Sequence, residues 1–314
     1  MLFIKVLVAL VLLWFGSNIL VKGAVSFSKK NGWSSSFVGL TILSLCSNFP
    51  EIAISITGAI NQLSGVDSSE LVVGNILGSN ISQISLIIGI AGFIKDLKID
   101  KQDLVRSGLV LIVSSGLLML FSLDGFISSA EGLALLMMYL VYFVLIRPRK
   151  KIQTVSKKVY KLFHRKNTVD WAKIIAGLVI VFLSSDWAVK SSISLAEVYG
   201  VSQSILGIFL LGLGTSLPEL FIVFQALQMR SSSLSVSTII GSNIVGSLLA
   251  IGLSASIVGW KVERSVATFD MPFLVLASVI VILFLMTKKR LDRKESFLLL
   301  CLYLIYSVLK LMGY

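Results

Sequence analysis

The chain has 314 residues, 56% hydrophobic and only 14% charged, with a mean hydropathy of +0.93. This composition leaves no room for a sizeable soluble domain and makes the chain an all-α polytopic membrane protein. A net charge of +12 would suggest nucleic acid in a soluble protein, but most of the basic residues sit in short loops between apolar runs, so no nucleic-acid partner is expected.

Taken in order, the first half reads as spans at Leu2–Lys22, Ser34–Ile60, Leu71–Ile94, Leu104–Ser122 and Ser128–Ile146. The first run has the length of a signal peptide but no convincing small-residue cleavage site, so it is read as a mature helix. A basic stretch, 147–170, follows and reads as a topology signal; binding of anionic lipid is the alternative. The second half continues with Ala172–Ser192, Ser202–Met229, Leu234–Val258, Val266–Met286 and Glu295–Leu311. The fold expected is therefore ten transmembrane helices, the shortest of them still long enough to span a bilayer. Cys46 and Cys301 both lie in apolar segments and imply neither a disulfide nor a zinc framework. His164, the single histidine, stands in the basic loop and is not expected to be a ligand.

Charge alternates between loops. Lys29 and Lys30, then Lys95, Lys98 and Lys101, the run from Arg147 to Lys166, and Lys288 to Lys294 fall on one side; Asn61–Glu70, Leu123–Ala130 and Glu197–Val201 are nearly free of Lys and Arg. Lys261 and Arg264 are the main exceptions. The positive-inside rule puts the basic loops in the cytoplasm and both termini outside.

The chain repeats itself. Val6–Glu51 falls on Ile174–Glu219 without a gap, aligning Ser17 with Ser185, Lys22 with Lys190, Gly32 with Gly200, Gly39 with Gly207, and Pro50-Glu51 with Pro218-Glu219. Further on, Gly78-Ser79-Asn80-Ile81 falls on Gly241-Ser242-Asn243-Ile244. The halves are 1–146 and 171–314, and an odd number of spans in each makes them inverted. Inverted repeats with interrupted helices and a midplane site are the pattern of secondary transporters.

Of the chain's four prolines, two directly precede Glu51 and Glu219, so the second and seventh spans should break at these motifs. A glutamate inside a span is costly and is a functional candidate by default. Symmetry would bring the two together, where both stay ionised only beside a counter-charge: one divalent cation, two monovalent cations or two protons. Ser47, Thr215, Ser216 and carbonyls freed by the prolines supply the oxygen ligands that hard cations prefer. In the Gly-Ser-Asn motifs, the glycines permit close helix packing, and Ser79 and Ser242 add oxygens. Asp186, opposite Asn18 in the repeat, is expected to bond a neighbouring helix or to sit near water.

Ser47-Asn48-Phe49-Pro50-Glu51, Gly214-Thr215-Ser216-Leu217-Pro218-Glu219 and the two Gly-Ser-Asn-Ile strings resemble the alpha repeats of the Na⁺/Ca²⁺ exchangers, over nearly the whole chain. The resemblance implies a Ca²⁺ site at Glu51, Glu219, Ser47 and Thr215, and Na⁺ ligands at Asn48, Ser216, Ser79 and Ser242. It implies alternating access, with the first and sixth spans sliding together against the rest. In that family a polar or acidic residue usually follows each second-motif serine by four positions; here Gln83 keeps an amide and Gly246 keeps nothing. Cys46-Ser47-Asn48 and Thr238 also depart from the pattern. With two carboxylates the site suits one Ca²⁺, two Na⁺ or two protons better than three Na⁺.

The expected function is exchange of Ca²⁺ for Na⁺ by a monomer in the plasma membrane, with Ca²⁺/H⁺ or other cation/H⁺ antiport on the same fold as the alternative. No enzymatic activity and no cofactor are expected. An intramembrane protease is disfavoured because the carboxylates come from equivalent repeats, and a channel because the pseudo-symmetry is internal and inverted.

Overall fold

The structure is a computed structural model that describes residues 2–29, 39–98, 101–146, 167–228, 231–287 and 290–313. Most of the basic stretch at 147–170, together with Lys30, Gly32, Lys288 and Lys289, lies outside the described residues. The helices in chain order are α1 (Leu2–Lys29), α2 (39–63), α3 (Ser69–Ile94), α4 (Lys101–Phe121) and α5 (Ser129–Leu145). The second half follows with α6 (Asn167–Tyr199), α7 (Gln203–Gln228), α8 (Ser232–Ile257), α9 (Val266–Thr287) and α10 (Arg293–Leu311). Seven of these helices are long and apolar enough to cross a membrane. α1 and α6 run beyond the sequence-predicted ends, α6 closing at Gly200, whose φ of 64° suits a residue without Cβ.

The repeat recurs in local structure. α5 and α10 begin with matching capping boxes, Ser128 with Glu131 and Asp292 with Glu295, each satisfying two backbone donors at the helix start. π-helical turns recur in pairs, at Gly39–Leu43 and Leu206–Leu211, and at Ser82–Ile87 and Val245–Ala250. Such turns interrupt the regular ladder and are frequent at functional sites. A further π turn, Val266–Asp270, has no described counterpart in α4.

Two short antiparallel ladders tie the halves together. β1 (Leu97–Lys98) pairs with β4 (Arg290–Leu291), and β2 (Phe126–Ile127) pairs with β3 (Trp260–Lys261). Each joins the loop after the third helix of one half to the loop before the fifth helix of the other. β1 and β2 flank α4, whose length of roughly 30 Å separates the two ladders. The basic loops around Lys95, Lys98 and Arg290 therefore share one end of the molecule. The opposite end gathers the loops of Asp67, Ser204 and Lys261, joined by Lys261–Asp67 at 3.2 Å and by Ser204 Oγ donating to Glu263 at 2.6 Å.

Burial separates two groups of helices. In α3 and α8, 94% and 89% of the apolar window is buried, against 33% in both α1 and α6. α3 and α8 are therefore the core, and α1 and α6 are peripheral. α1 packs along α6 and has its own apolar cluster, including Leu10, Leu13, Val181 and Val189, which touches the rest through Ala53, Ile54, Leu71 and Leu211. Glycine lets the core helices cross closely. A Cβ on Gly78 would lie 2.1 Å from the Ile208 carbonyl, and one on Gly241 would lie 2.9 Å from the Leu40 carbonyl. These are equivalent crossings, α3 on α7 and α8 on α2.

Candidate functional site

α2 and α7 are both interrupted at their Pro-Glu motifs. The helix stops at Asn48 (φ −78°, ψ 5°) and at Ser216 (φ −78°, ψ −2°), then restarts at Phe49-Pro50-Glu51 and Leu217-Pro218-Glu219. Proline is tolerated in a first turn, where its missing N–H has no helical acceptor to serve. For the same reason the carbonyls of Cys46 and Gly214, four residues earlier, lose their regular donor. Each glutamate sits in the first turn of the restarted helix, where the helix dipole favours negative charge.

Both glutamates are wholly buried, and the halves meet around them. Ser79 Oγ donates to Glu51 Oε1 at 2.8 Å and lies 2.9 Å from Ser216 Oγ of the other half. Ser242 Oγ lies 3.5 Å from both Glu219 Oε1 and Ser47 Oγ, again bridging the halves. Gln83 donates to Ser79 Oγ at 2.9 Å and accepts from Asn243 Nδ2 at 3.0 Å. Ser47, Ser79, Ser216, Ser242, Gln83 and both glutamates thus form one centre between α2, α3, α7 and α8. Thr215 Oγ1 reaches Asn75 Oδ1 at 3.2 Å, and Asn48 turns its amide nitrogen to the Ser44 carbonyl at 2.7 Å.

The centre departs from symmetry where the sequence does. Asn48 stands where the second half has Ser216, and its amide folds back on its own helix, so Ser47 meets Ser242 instead. Thr238 stands where the first half has Asn75, and its hydroxyl goes to the Leu234 carbonyl. Ser82, 3.4 Å from Ser216 Oγ, and Asn75 belong to this network although neither was a sequence-predicted site residue. Ser82 had no signal beyond a position within one turn of Ser79; Asn75 had one more, as the pattern asparagine that Thr238 replaces in the second half.

Several buried oxygens here make no hydrogen bond: Glu51 Oε2, Glu219 Oε2, Asn48 Oδ1, Asn80 Oδ1 and Asn243 Oδ1. Buried acceptors without donors are costly, and a set of them around two carboxylates attracts a cation. Among the described residues no group of three His, Cys, Asp or Glu side chains could hold a metal, so neutral oxygens must complete any shell. The peripheral pair lies against the motifs: Phe182 of α6 packs edge-on to Phe49 at 6.3 Å, and Leu10 of α1 fills the space beside Gly214.

Two other acidic groups lie apart. Asp186 pairs with Lys190 on its own helix at 2.8 Å and is partly exposed, not bonded to a neighbouring helix. Asp270 is fully buried, with Lys310 Nζ at 2.6 Å and Tyr306 Oη donating at 2.7 Å. No sequence motif marked this cluster.

A family model described as "Sodium/calcium exchanger protein" matches residues 1–147 and 169–312. The sodium/calcium exchanger MaX1 of Methanosarcina acetivorans is 28% identical over 351 aligned residues, covering 98% of this chain and 97% of that protein. The inner membrane protein YrbG of Escherichia coli is 23% identical, covering 87% and 85%. Among solved structures, the sodium-calcium exchanger NCX_Mj soaked with 2.5 mM Na⁺ and 0.1 mM Ca²⁺ superposes with a TM-score of 0.68 at 25% identity, over 96% of both chains. With matches that run through both halves and take in both Pro-Glu motifs, this chain belongs to the sodium/calcium exchanger family, as a multi-pass membrane protein whose class is cation exchange and not enzymatic catalysis.

Proposed function

We propose that the protein is an antiporter that exchanges Ca²⁺ for Na⁺ at one centre shared by Glu51 and Glu219. The observation that carries this reading is the pair of buried glutamates from opposite halves, each with one carboxylate oxygen bonded to a serine and the other unpartnered. Ca²⁺ prefers six to eight oxygens and tolerates irregular geometry. Glu51, Glu219, Ser47 and Thr215 would hold it, with the motif carbonyls. Ser79, Ser216, Ser242, Asn48 and Gln83 supply neutral oxygens suited to Na⁺. Both ions need the same carboxylates, so occupancy by one excludes the other, and that competition couples their movements.

In this reading the chain spans the membrane ten times in two inverted halves, 1–146 and 171–314, with both termini outside the cell and the basic loops in the cytoplasm. It works as a monomer in the plasma membrane. α1 and α6 move as a unit because their packing on each other is separate from the main core. Sliding of Leu10 and Phe182 across the two motifs would open the centre to one side at a time.

The test is ⁴⁵Ca²⁺ uptake into proteoliposomes carrying an imposed Na⁺ gradient, compared with an imposed pH gradient. Uptake driven by Na⁺ supports the assignment. Uptake that ignores Na⁺ and follows pH would replace it with Ca²⁺/H⁺ exchange.

A further inference from the structure

In the repeat, Ser79 corresponds to Ser242, Asn80 to Asn243 and Gln83 to Gly246. In the first half Gln83 bridges Ser79 and Asn243. Gly246 has no side chain to do the same for Ser242 and Asn80. Gly246 stands one turn beyond Ser242, on the face that Ser242 presents to Glu219. A Cβ built there would fall 2.6 Å from Asn80 Oδ1 and 3.4 Å from both other atoms of that amide group. The space is therefore filled by a polar group from α3, not by apolar packing. Asn80 Nδ2 donates to Ser247 Oγ at 2.9 Å, which fixes the amide with its oxygen toward Gly246. That oxygen is wholly buried and makes no hydrogen bond.

We infer that Asn80 Oδ1 is a cation ligand occupying the place of the side chain Gly246 lacks, and that with only two carboxylates in the centre the exchange is electroneutral. This deepens the exchange reading above and rests on it. The charge count follows from burial. Among the described residues the buried carboxylates are Glu51, Glu219 and Asp270, and Asp270 is already neutralised by Lys310. A buried centre of charge −2 is balanced by one divalent or two monovalent cations, and a third monovalent cation would leave an uncompensated charge in a low-dielectric interior. Asn80 contributes an oxygen but no charge, so it raises the ligand number without raising the number of cations carried.

The experiment is Ca²⁺ flux in proteoliposomes with the membrane potential set by K⁺ and valinomycin. Flux by the intact protein should not change with potential, and its dependence on Na⁺ should have a Hill coefficient of no more than about two. One net charge per cycle would instead shift the ratio of forward to reverse flux by up to about fiftyfold per 100 mV, and that result overturns the inference. If the flux follows pH and not Na⁺, the Na⁺ assignment fails, while the potential dependence still reads the charge count. Asn80→Ala should raise the half-saturating cation concentration about tenfold, as expected for losing one buried polar partner. Adding Gly246→Asn to Asn80→Ala returns an amide to the same space from α8 and should recover most of that loss. An unchanged half-saturation in Asn80→Ala, or a double variant no better than the single one, contradicts the role of Asn80.

Discussion

Buried carboxylates occur in two regions of this molecule, and they are built in opposite ways. Asp270 has an ammonium on one oxygen and a phenol on the other, with Lys310 itself bonded to Ser265 at 3.3 Å. Among the described residues, Ser79 bonds one oxygen of Glu51 and Ser242 one oxygen of Glu219, and no basic side chain pairs with either glutamate. The first arrangement is internally neutral and needs nothing more. The second lacks a counter-charge, and the proposed cation would supply it. What sets the two glutamates apart from Asp270 is thus the missing counter-charge, not burial, which all three share.

The largest effect should come from removing the charge of the second arrangement. Glu51→Gln and Glu219→Gln should each reduce Ca²⁺ exchange in proteoliposomes to background. Neither should lower the thermal unfolding temperature of the cation-free protein, because an uncompensated buried charge costs several kcal/mol. Loss of folding in both variants would make the glutamates structural, like Asp270.

Breaking the neutral arrangement should do the reverse. Lys310→Met leaves Asp270 charged with only the Tyr306 hydroxyl for a partner, and should cost about 3–5 kcal/mol of stability, read as an earlier unfolding transition in detergent. Adding Asp270→Asn should restore much of it. Ca²⁺ binding by the folded double variant should persist.

Smaller effects test the symmetry of the frame around the centre. Gly78→Ala and Gly241→Ala place a methyl group against equivalent carbonyls, at 2.1 Å and 2.9 Å. Overpacking of this kind costs about 1–3 kcal/mol, partly offset by up to about 1 kcal/mol of helix propensity, and Gly78→Ala should be the more damaging in thermal unfolding.

The smallest effect belongs to the Lys261–Asp67 pair at the loop end, more than half exposed on both sides. Partial burial pushes the Asp67 carboxyl up, but hydrogen bonds from Ser69 and Lys261 outweigh it and hold the group below the ordinary aspartate value. A lowered carboxyl contributes stability that is present at neutral pH and is lost as pH falls through its folded value. Asp67→Asn should therefore cost under about 1 kcal/mol at pH 7 and nothing at strongly acid pH, as read from melting curves at the two pH values.

Much of the frame was legible in the amino-acid order. Pro-Glu inside an apolar run is rare enough to locate both helix breaks, and Gly, Pro, Lys and Glu aligned across the halves exposed the repeat. The pairing of loops at each end agreed with the charge alternation. The role of Asn80 was not legible, because it depends on how α3 packs against α8; the order of residues shows only that Gly246 lacks a side chain. Asp270 and Lys310 were hidden for a similar reason. They are far apart in the chain, and neither belongs to a motif aligned between the halves. Lys310 stands in the last turn of the tenth helix, where a lysine reads as an ordinary helix-end charge until packing puts it beside Asp270.

Equilibrium ⁴⁵Ca²⁺ binding to the purified protein tests the shared centre most directly. The intact chain should bind about one Ca²⁺, competed by Na⁺, and Glu51→Gln and Glu219→Gln should each abolish that binding on their own. Two independent Ca²⁺ ions per chain, or unchanged affinity in either variant, would show that the glutamates do not share one site.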